Sequence, residues 1–145
     1  MRLFSSLFFV LCAVLSHSQE IDEENSKVSF KIKSMGVSTI EGVITGMKGS
    51  IYFDSTDLSN AYFDVIVVPQ TVNTGNENRD SHLVGVDFFN AETFSVIGFV
   101  SDTVLKTKSG FLTRGELTMC GNTKKYSFEF EYNKDENALL GYFSV

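Results

Sequence analysis

The sequence is poor in the residues that crosslink a fold, stiffen a chain or hold a metal. It has no tryptophan, a single proline (Pro69), two cysteines and two histidines. Cys12 and His17 lie in an N-terminal segment that we expect to be removed, which leaves Cys120 and His82. One cysteine cannot form an intramolecular disulfide, and one histidine does not indicate a metal centre. Burial of apolar surface must therefore hold the fold together.

Residues 1–18 have the pattern of a secretory signal peptide. A short positive start is followed by an almost unbroken apolar run at 3–15, and small residues precede a predicted cut between Ser18 and Gln19. The run is too short to span a bilayer. A lipoprotein anchor through Cys12 is the alternative, but bulky residues stand where a lipobox has small ones. The sequence thus predicts a periplasmic or secreted protein.

Basic residues are also scarce in the segment 19–145, which has the length of one domain. Without Arg2, eleven basic residues face eighteen acidic ones, a net charge of −7. Contacts to phosphate groups require lysine and arginine. We therefore expect no nucleic-acid partner, no binding to anionic membrane surfaces and no stable membrane insertion.

What the sequence does contain is strand pattern and phenylalanine. Residues 27–33 and 125–132 alternate between apolar and polar side chains, the period of a sheet with one buried face. Eleven phenylalanines remain after residue 18. Many antiparallel strands predict a sandwich or a barrel, and we favour a barrel with a bore about 30 Å long that suits a chain-like ligand. Further strands are predicted at 60–69, 93–101, 110–119 and 138–145, with loops at 54–60 and 133–137 and a helical turn at 76–83.

Two motifs carry a family resemblance. "RDSHLVGVDFF" (79–89) and "GELTMCGNTK" (115–124) follow the strand "KVSFKIK" in this order. Together they resemble the YceI-like family of periplasmic or secreted lipid-binding proteins. The resemblance implies an all-β, antiparallel, lipocalin-like barrel with one short helical connection. It also implies a non-enzymatic carrier of an isoprenoid or similar lipid, with no cofactor beyond that ligand.

The sequence departs from the family pattern at two places. Phe94 and Ser95 stand where the family usually has a proline, and the chain stops at Val145 where family members continue. We therefore expect a barrel left open by missing C-terminal strands, with an exposed strand edge. The alternative function is a structural or interaction module with a filled core that pairs through this edge, as in a homodimer.

Candidate site residues fall into two groups. Arg79, Asp80 and His82 are expected to form a polar latch at the barrel rim, with contact to a lipid headgroup as the alternative. Phe88 and Phe89 are expected to turn inward. The side chains predicted to line the cavity are Phe30, Ile32, Phe53, Phe63, Val65, Val67, Phe88, Phe89, Phe99, Leu117, Phe128 and Phe130.

No catalytic or metal-binding residues are predicted. Asp80 and His82 stand two positions apart, so their side chains do not face each other on a helix. The sequence has no G-x-S-x-G nucleophile motif. Cys120 is expected to be a free thiol that packs or lies at a turn.

Overall fold

The computed structural model describes residues 19–34 and 38–142. The predicted signal peptide and the last three residues lie outside this range. A 3-10 turn covers Pro69–Thr71, and helix α1 covers Glu77–Val84. The strands of the described residues are β1 Gln19–Glu20, β2 Val28–Ser34, β3 Ser38–Ile44, β4 Lys48–Tyr52, β5 Tyr62–Val67, β6 Ile97–Lys106, β7 Phe111–Met119, β8 Asn122–Asn133 and β9 Ala138–Tyr142.

Seven of these strands form one antiparallel sheet in the order β1-β4-β5-β6-β7-β8-β9. The sheet is strongly curled into a half-barrel. Strands β2 and β3 form a separate antiparallel hairpin. This architecture confirms the predicted all-β, barrel-like fold with one short helical connection. Across the described residues, no helix has both the length and the apolarity of a membrane span.

The β2–β3 hairpin is attached to the segment that leaves β5. Val43 and Asn73 exchange two backbone hydrogen bonds of 2.9 Å. The Thr45 amide donates to the Thr71 hydroxyl at 2.8 Å, and the Val68 amide donates to the Thr45 carbonyl at 3.2 Å. These bonds fix the hairpin to residues 68–73, the segment that follows β5.

A β-bulge helps the sheet to curl. The pairing of β6 with β7 shifts between Ser101 and Thr103, so Asp102 is an extra residue on β6. Gly115 lies opposite Ser101, and a Cβ atom at this position would collide with the carbonyl of Val100. Bulges bend a strand and increase its twist, and the close backbone approach explains the glycine.

Strand β6 begins later than the sequence predicts. The prediction started the strand at residue 93, but residues 91–94 form a turn in which the amides of Thr93 and Phe94 both donate to the carbonyl of Asn90. The strand starts at Ile97 and runs on to Lys106. Residues 93–96 alternate between polar and apolar side chains as a strand does, but Thr93 and Phe94 belong to this turn.

The apolar core consists of two clusters. The aromatic cluster has Phe63, Phe99, Val104, Phe111 and Phe130 as its buried members and lies against the curled sheet. The hairpin cluster has Ile44, Val67 and Val72 as its buried members and includes half-buried residues of β2 and α1. The two clusters adjoin along β5 and β6, where Val65 and Phe99 of the aromatic cluster lie two positions from Val67 and Ile97 of the hairpin cluster.

Candidate functional site

The inward face of the sheet follows from the alternation of β7 and β8. In β7 the side chains at 111, 113, 115 and 117 point inward and those at 114 and 116 are exposed. The register pairs Phe111 with Phe130, Thr113 with Phe128 and Gly115 with Tyr126. Because strand period and register coincide, a continuous apolar face lines the concave side of the half-barrel.

Most of the predicted lining residues are at least half buried, but they are divided between the two clusters. Ile32 lies in β2, and its side chain is outside the described part of the structure. Phe88 is 51% exposed. Phe53, Phe63, Val65, Phe99, Leu117, Phe128 and Phe130 belong to the aromatic cluster, and Phe30, Val67 and Phe89 belong to the hairpin cluster.

The aromatic end of the concave face is filled by rings. Phe53 follows β4, and its ring centroid lies 4.9 Å from that of Phe111, 5.4 Å from Phe130 and 5.2 Å from Tyr132. It also lies 6.5 Å from Phe63 on β5. One side chain thus contacts rings from β5, β7 and β8. Edge-to-face geometry at such distances is favourable for aromatic pairs.

The middle of the face is apolar and less fully covered. Val65, Leu117 and Phe128 are half buried, and the ring of Phe128 lies 5.1 Å from that of Phe99. Thr113 is 0% exposed, and its hydroxyl donates to the Thr103 carbonyl at 3.4 Å. The polar atom on this part of the face is therefore satisfied internally.

On β8, the other end of the face is polar. Lys124 pairs with Leu117 and Asn122 with Met119, at the same parity of β8 as Tyr126 and Phe128. Both Lys124 and Asn122 are exposed. The sequence analysis missed these two residues. Their signal was the period-two alternation of β8, which continues past Tyr126 toward the turn.

Arg79 and Asp80 form a latch with Thr74, a residue that the sequence analysis did not identify. The Asp80 Oδ1 atom accepts from the Thr74 amide at 2.9 Å and from its hydroxyl at 2.5 Å. The Arg79 Nε atom donates to the Thr74 hydroxyl at 2.7 Å, and Nη2 donates to its carbonyl at 2.9 Å. Asn76 caps α1 by accepting from the Arg79 amide at 3.0 Å. The latch fixes the start of α1 to the segment that pairs with β3.

His82 and Phe88 lie on the outside of the connection. The His82 side chain is exposed, and its ring meets that of Phe88 edge-on at 4.9 Å. The amides of Phe88 and Asn90 both donate to the Gly85 carbonyl, which closes a turn. Neighbouring side chains on this turn point in different directions. Phe89 enters the hairpin cluster, whereas Phe88 does not turn inward as expected.

Cys120 lies in the turn between β7 and β8 with a positive φ of 50°. Its thiol is free and lies 3.4 Å from the Phe88 carbonyl and 3.7 Å from the Phe89 carbonyl. The contact joins the β7–β8 turn to the connection after α1. Within the described residues, no three His, Cys, Asp or Glu side chains come together as a metal-ligand set.

A curled antiparallel half-barrel with an apolar concave face defines a class of barrel-like proteins. The YceI-like domain matches residues 19–145, and the chain therefore belongs to the YceI-like family. A UPF0312 protein of Staphylococcus aureus strain USA300 is 33% identical over 112 residues, which are 77% of this chain and 63% of that protein. The chain thus spans less than two thirds of the length of this curated relative.

Solved structures share the fold. BcnA of Burkholderia cenocepacia superposes with a TM-score of 0.71 at 20% identity, covering 79% of this chain and 72% of that one. The YceI protein of Campylobacter jejuni gives a TM-score of 0.59 at 28% identity, covering 79% of this chain and 71% of that one. Both agree with the half-barrel seen here.

Proposed function

We propose that the protein is a non-enzymatic carrier that binds the apolar tail of an isoprenoid or similar long-chain lipid on its concave face. The observation that carries the proposal is the row of half-buried apolar side chains in the middle of that face, at Val65, Leu117 and Phe128. A bound tail would remove this surface from water, and this burial would contribute about 25 cal/mol of binding free energy per Å² of apolar area. Membership of the YceI-like family supports the same ligand class.

The polar end of the face orients the ligand in this proposal. Lys124 and Asn122 lie beyond the apolar middle and are exposed, so a headgroup would lie beside them. Arg79 already uses Nε and Nη2 on Thr74. We therefore assign Arg79 and Asp80 to support of the connection and Lys124 to the headgroup, since a few placed polar groups fix a mostly apolar ligand.

The proposed location is the periplasm or the cell exterior, which the signal-like pattern of residues 1–18 supports. Intact mass measurement of protein recovered outside the cytoplasm tests this. A polypeptide that begins at Gln19 is expected. Recovery of the uncleaved chain from the cytoplasm alone would contradict the proposed location.

The binding proposal is tested by extracting purified protein with organic solvent and analysing the extract by mass spectrometry. Binding of added ubiquinone to delipidated protein is then measured by titration. Leu117→Asp places a charge on the concave face, and we expect at least a tenfold loss of affinity. Thr118→Asp is the matched control, because it places the same charge on the exposed outer face of the same strand. Absence of both co-purified lipid and quinone binding contradicts the carrier.

A second candidate, the interaction module, is favoured by the edge of β9. Within the described residues, this strand pairs only with β8, it contains no charged residue, and Leu140 is 56% exposed. By contrast, β2 carries an exposed lysine, Lys31, the kind of charged residue that protects edge strands. If β9 pairs with a second copy, light scattering will show a dimer that Leu140→Lys disrupts. A monomer at all concentrations excludes this candidate.

A further inference from the structure

The β4–β5 connection folds back over the aromatic end of the concave face. Besides Phe53, the connection contributes Leu58 and Ala61, which are half buried and pack on the aromatic cluster. Beneath them, Phe130 is 3% exposed and Phe111 is 9% exposed. The segment that links two neighbouring strands therefore covers one end of the inward face.

The connection is held in shape by its own hydrogen bonds. The Asp54 Oδ1 atom accepts from the Thr56 amide at 2.8 Å and from its hydroxyl at 2.7 Å. The Asp57 carboxylate accepts from the Ser59 amide at 3.0 Å, and the Ala61 amide donates to the Leu58 carbonyl at 3.1 Å. Asx turns of this kind replace regular structure in a tight connection. Phe53 is thus anchored at one end of an ordered loop.

The position of Phe53 divides the inward face of β8 into two lengths. The ring contacts Phe130 and Tyr132, so the stretch from Phe130 to Tyr132, two residues or about 7 Å of strand, is occupied by protein. The stretch from Phe128 to Lys124, four residues or about 14 Å, continues to the polar end. The full inward face would have accommodated a longer tail.

We infer that Phe53 is a plug that sets the depth of the lipid site and so limits the length of tail that the protein can bury. This inference rests on the proposed function and names a specificity-determining residue within it. A tail enters from the polar end near Lys124 and stops against the rings that Phe53 joins. Tails longer than about 14 Å leave their remaining carbons in water or fold back, and so gain no further affinity from burial.

The experiment measures the affinity of delipidated protein for ubiquinones of two, four, six and ten isoprene units. For the unsubstituted protein, we expect affinity to rise with tail length and then to reach a plateau. In Phe53→Ala, the plateau should move to a longer tail, with about tenfold tighter binding than the unsubstituted protein at the first length beyond the original plateau. Burial of one further methylene group should by itself tighten binding roughly fourfold.

Two further variants keep the test interpretable. Phe53→Leu retains an apolar side chain without the ring, and it decides the question if circular dichroism shows that Phe53→Ala does not fold. Val72→Ala is the matched control, because it deletes buried atoms from the hairpin cluster. It should lower stability and leave the plateau where it was.

The outcomes separate the plug from the carrier. If the unsubstituted protein binds quinones with no plateau, or if the folded Phe53 variants keep the original plateau, the plug is wrong and the carrier stands. A plateau that also moves in Val72→Ala overturns the plug as well. If the unsubstituted protein binds no quinone of any length and co-purifies with no lipid, the carrier fails and the plug falls with it.

Discussion

The aromatic end and the α1 end of the half-barrel are stabilised by different kinds of interaction. At the aromatic end, Phe53 brings together rings from β5, β7 and β8. At the α1 end, Thr74, Arg79 and Asp80 are joined by directional hydrogen bonds within seven positions of the chain. Ring contacts draw their energy from burial across distant segments, whereas the latch depends on a few polar atoms. Loss of one side chain should therefore affect the two ends by different amounts and through different mechanisms.

The largest effect is expected at the aromatic end. Phe130 is 3% exposed and lies 5.3–5.4 Å from the rings of Phe53, Phe63 and Phe111. Phe130→Ala removes a buried ring from the centre of this cluster and should lower the free energy of unfolding by about 3–5 kcal/mol. Urea titration followed by circular dichroism measures the change. Leu105→Ala, on the exposed outer face, is the control, and a similar loss in both variants would show that the cluster is not special.

Disruption of the latch should lower the free energy of unfolding by an intermediate amount. Asp80→Ala leaves the Thr74 amide and hydroxyl without their acceptor, and we expect a loss of about 1–3 kcal/mol in the free energy of unfolding. Asp87→Ala serves as control, because Asp87 is an exposed carboxylate on the same connection. Thr74→Val and the double variant complete a mutant cycle. If the loss in the double variant equals the sum of the losses in the two single variants, the side chains of Thr74 and Asp80 do not stabilise each other.

A smaller effect is expected at Phe88, which adjoins the latch and lies outside both clusters. Its side chain is 51% exposed and contacts the His82 ring. Phe88→Ala should cost no more than about 0.5–1 kcal/mol, whereas Phe89→Ala removes a member of the hairpin cluster and should cost more. Thermal unfolding of the two variants under identical conditions tests the difference. Equal losses would place Phe88 in the core, as the sequence led us to expect.

The fold was predictable because strand alternation is a local signal. In β2, β7 and β8 the period of two is visible in the residues themselves, and the structure has strands at these positions. The predicted start of β6 was wrong, because Phe94 belongs to a turn that Asn90 closes. Periodicity reports which side chains are apolar, and it does not report whether the backbone between them is extended.

The candidate site was harder to predict than the fold. Alternation assigned Phe130 and Phe63 to the inward face, but it could not show that Phe53 from a loop would fill the space between them. That contact depends on how far the β4–β5 connection folds back, which is a tertiary property. Thr74 was missed for a related reason: its role exists only once α1 turns Asp80 toward it.

The smallest effect concerns the loop that carries the plug, and it depends on pH. The Thr56 hydroxyl donates a hydrogen bond to Asp54, and the Thr56 amide donates a second one. The first bond, and to a smaller extent the second, lowers the pKa of that carboxyl below its ordinary value of 3.8. Because the folded pKa is depressed, the unfolded chain binds more protons as the solution is acidified. The stabilisation is therefore present above the unfolded pKa and is lost as pH falls through the folded one. Thermal unfolding of the unsubstituted protein and of Asp54→Asn, compared between pH 6 and pH 3, should show a slightly larger acid-induced fall in midpoint for the unsubstituted protein. The same fall in both would mean that the Asp54 turn does not stabilise the folded loop, and the plug would then depend on ring packing alone.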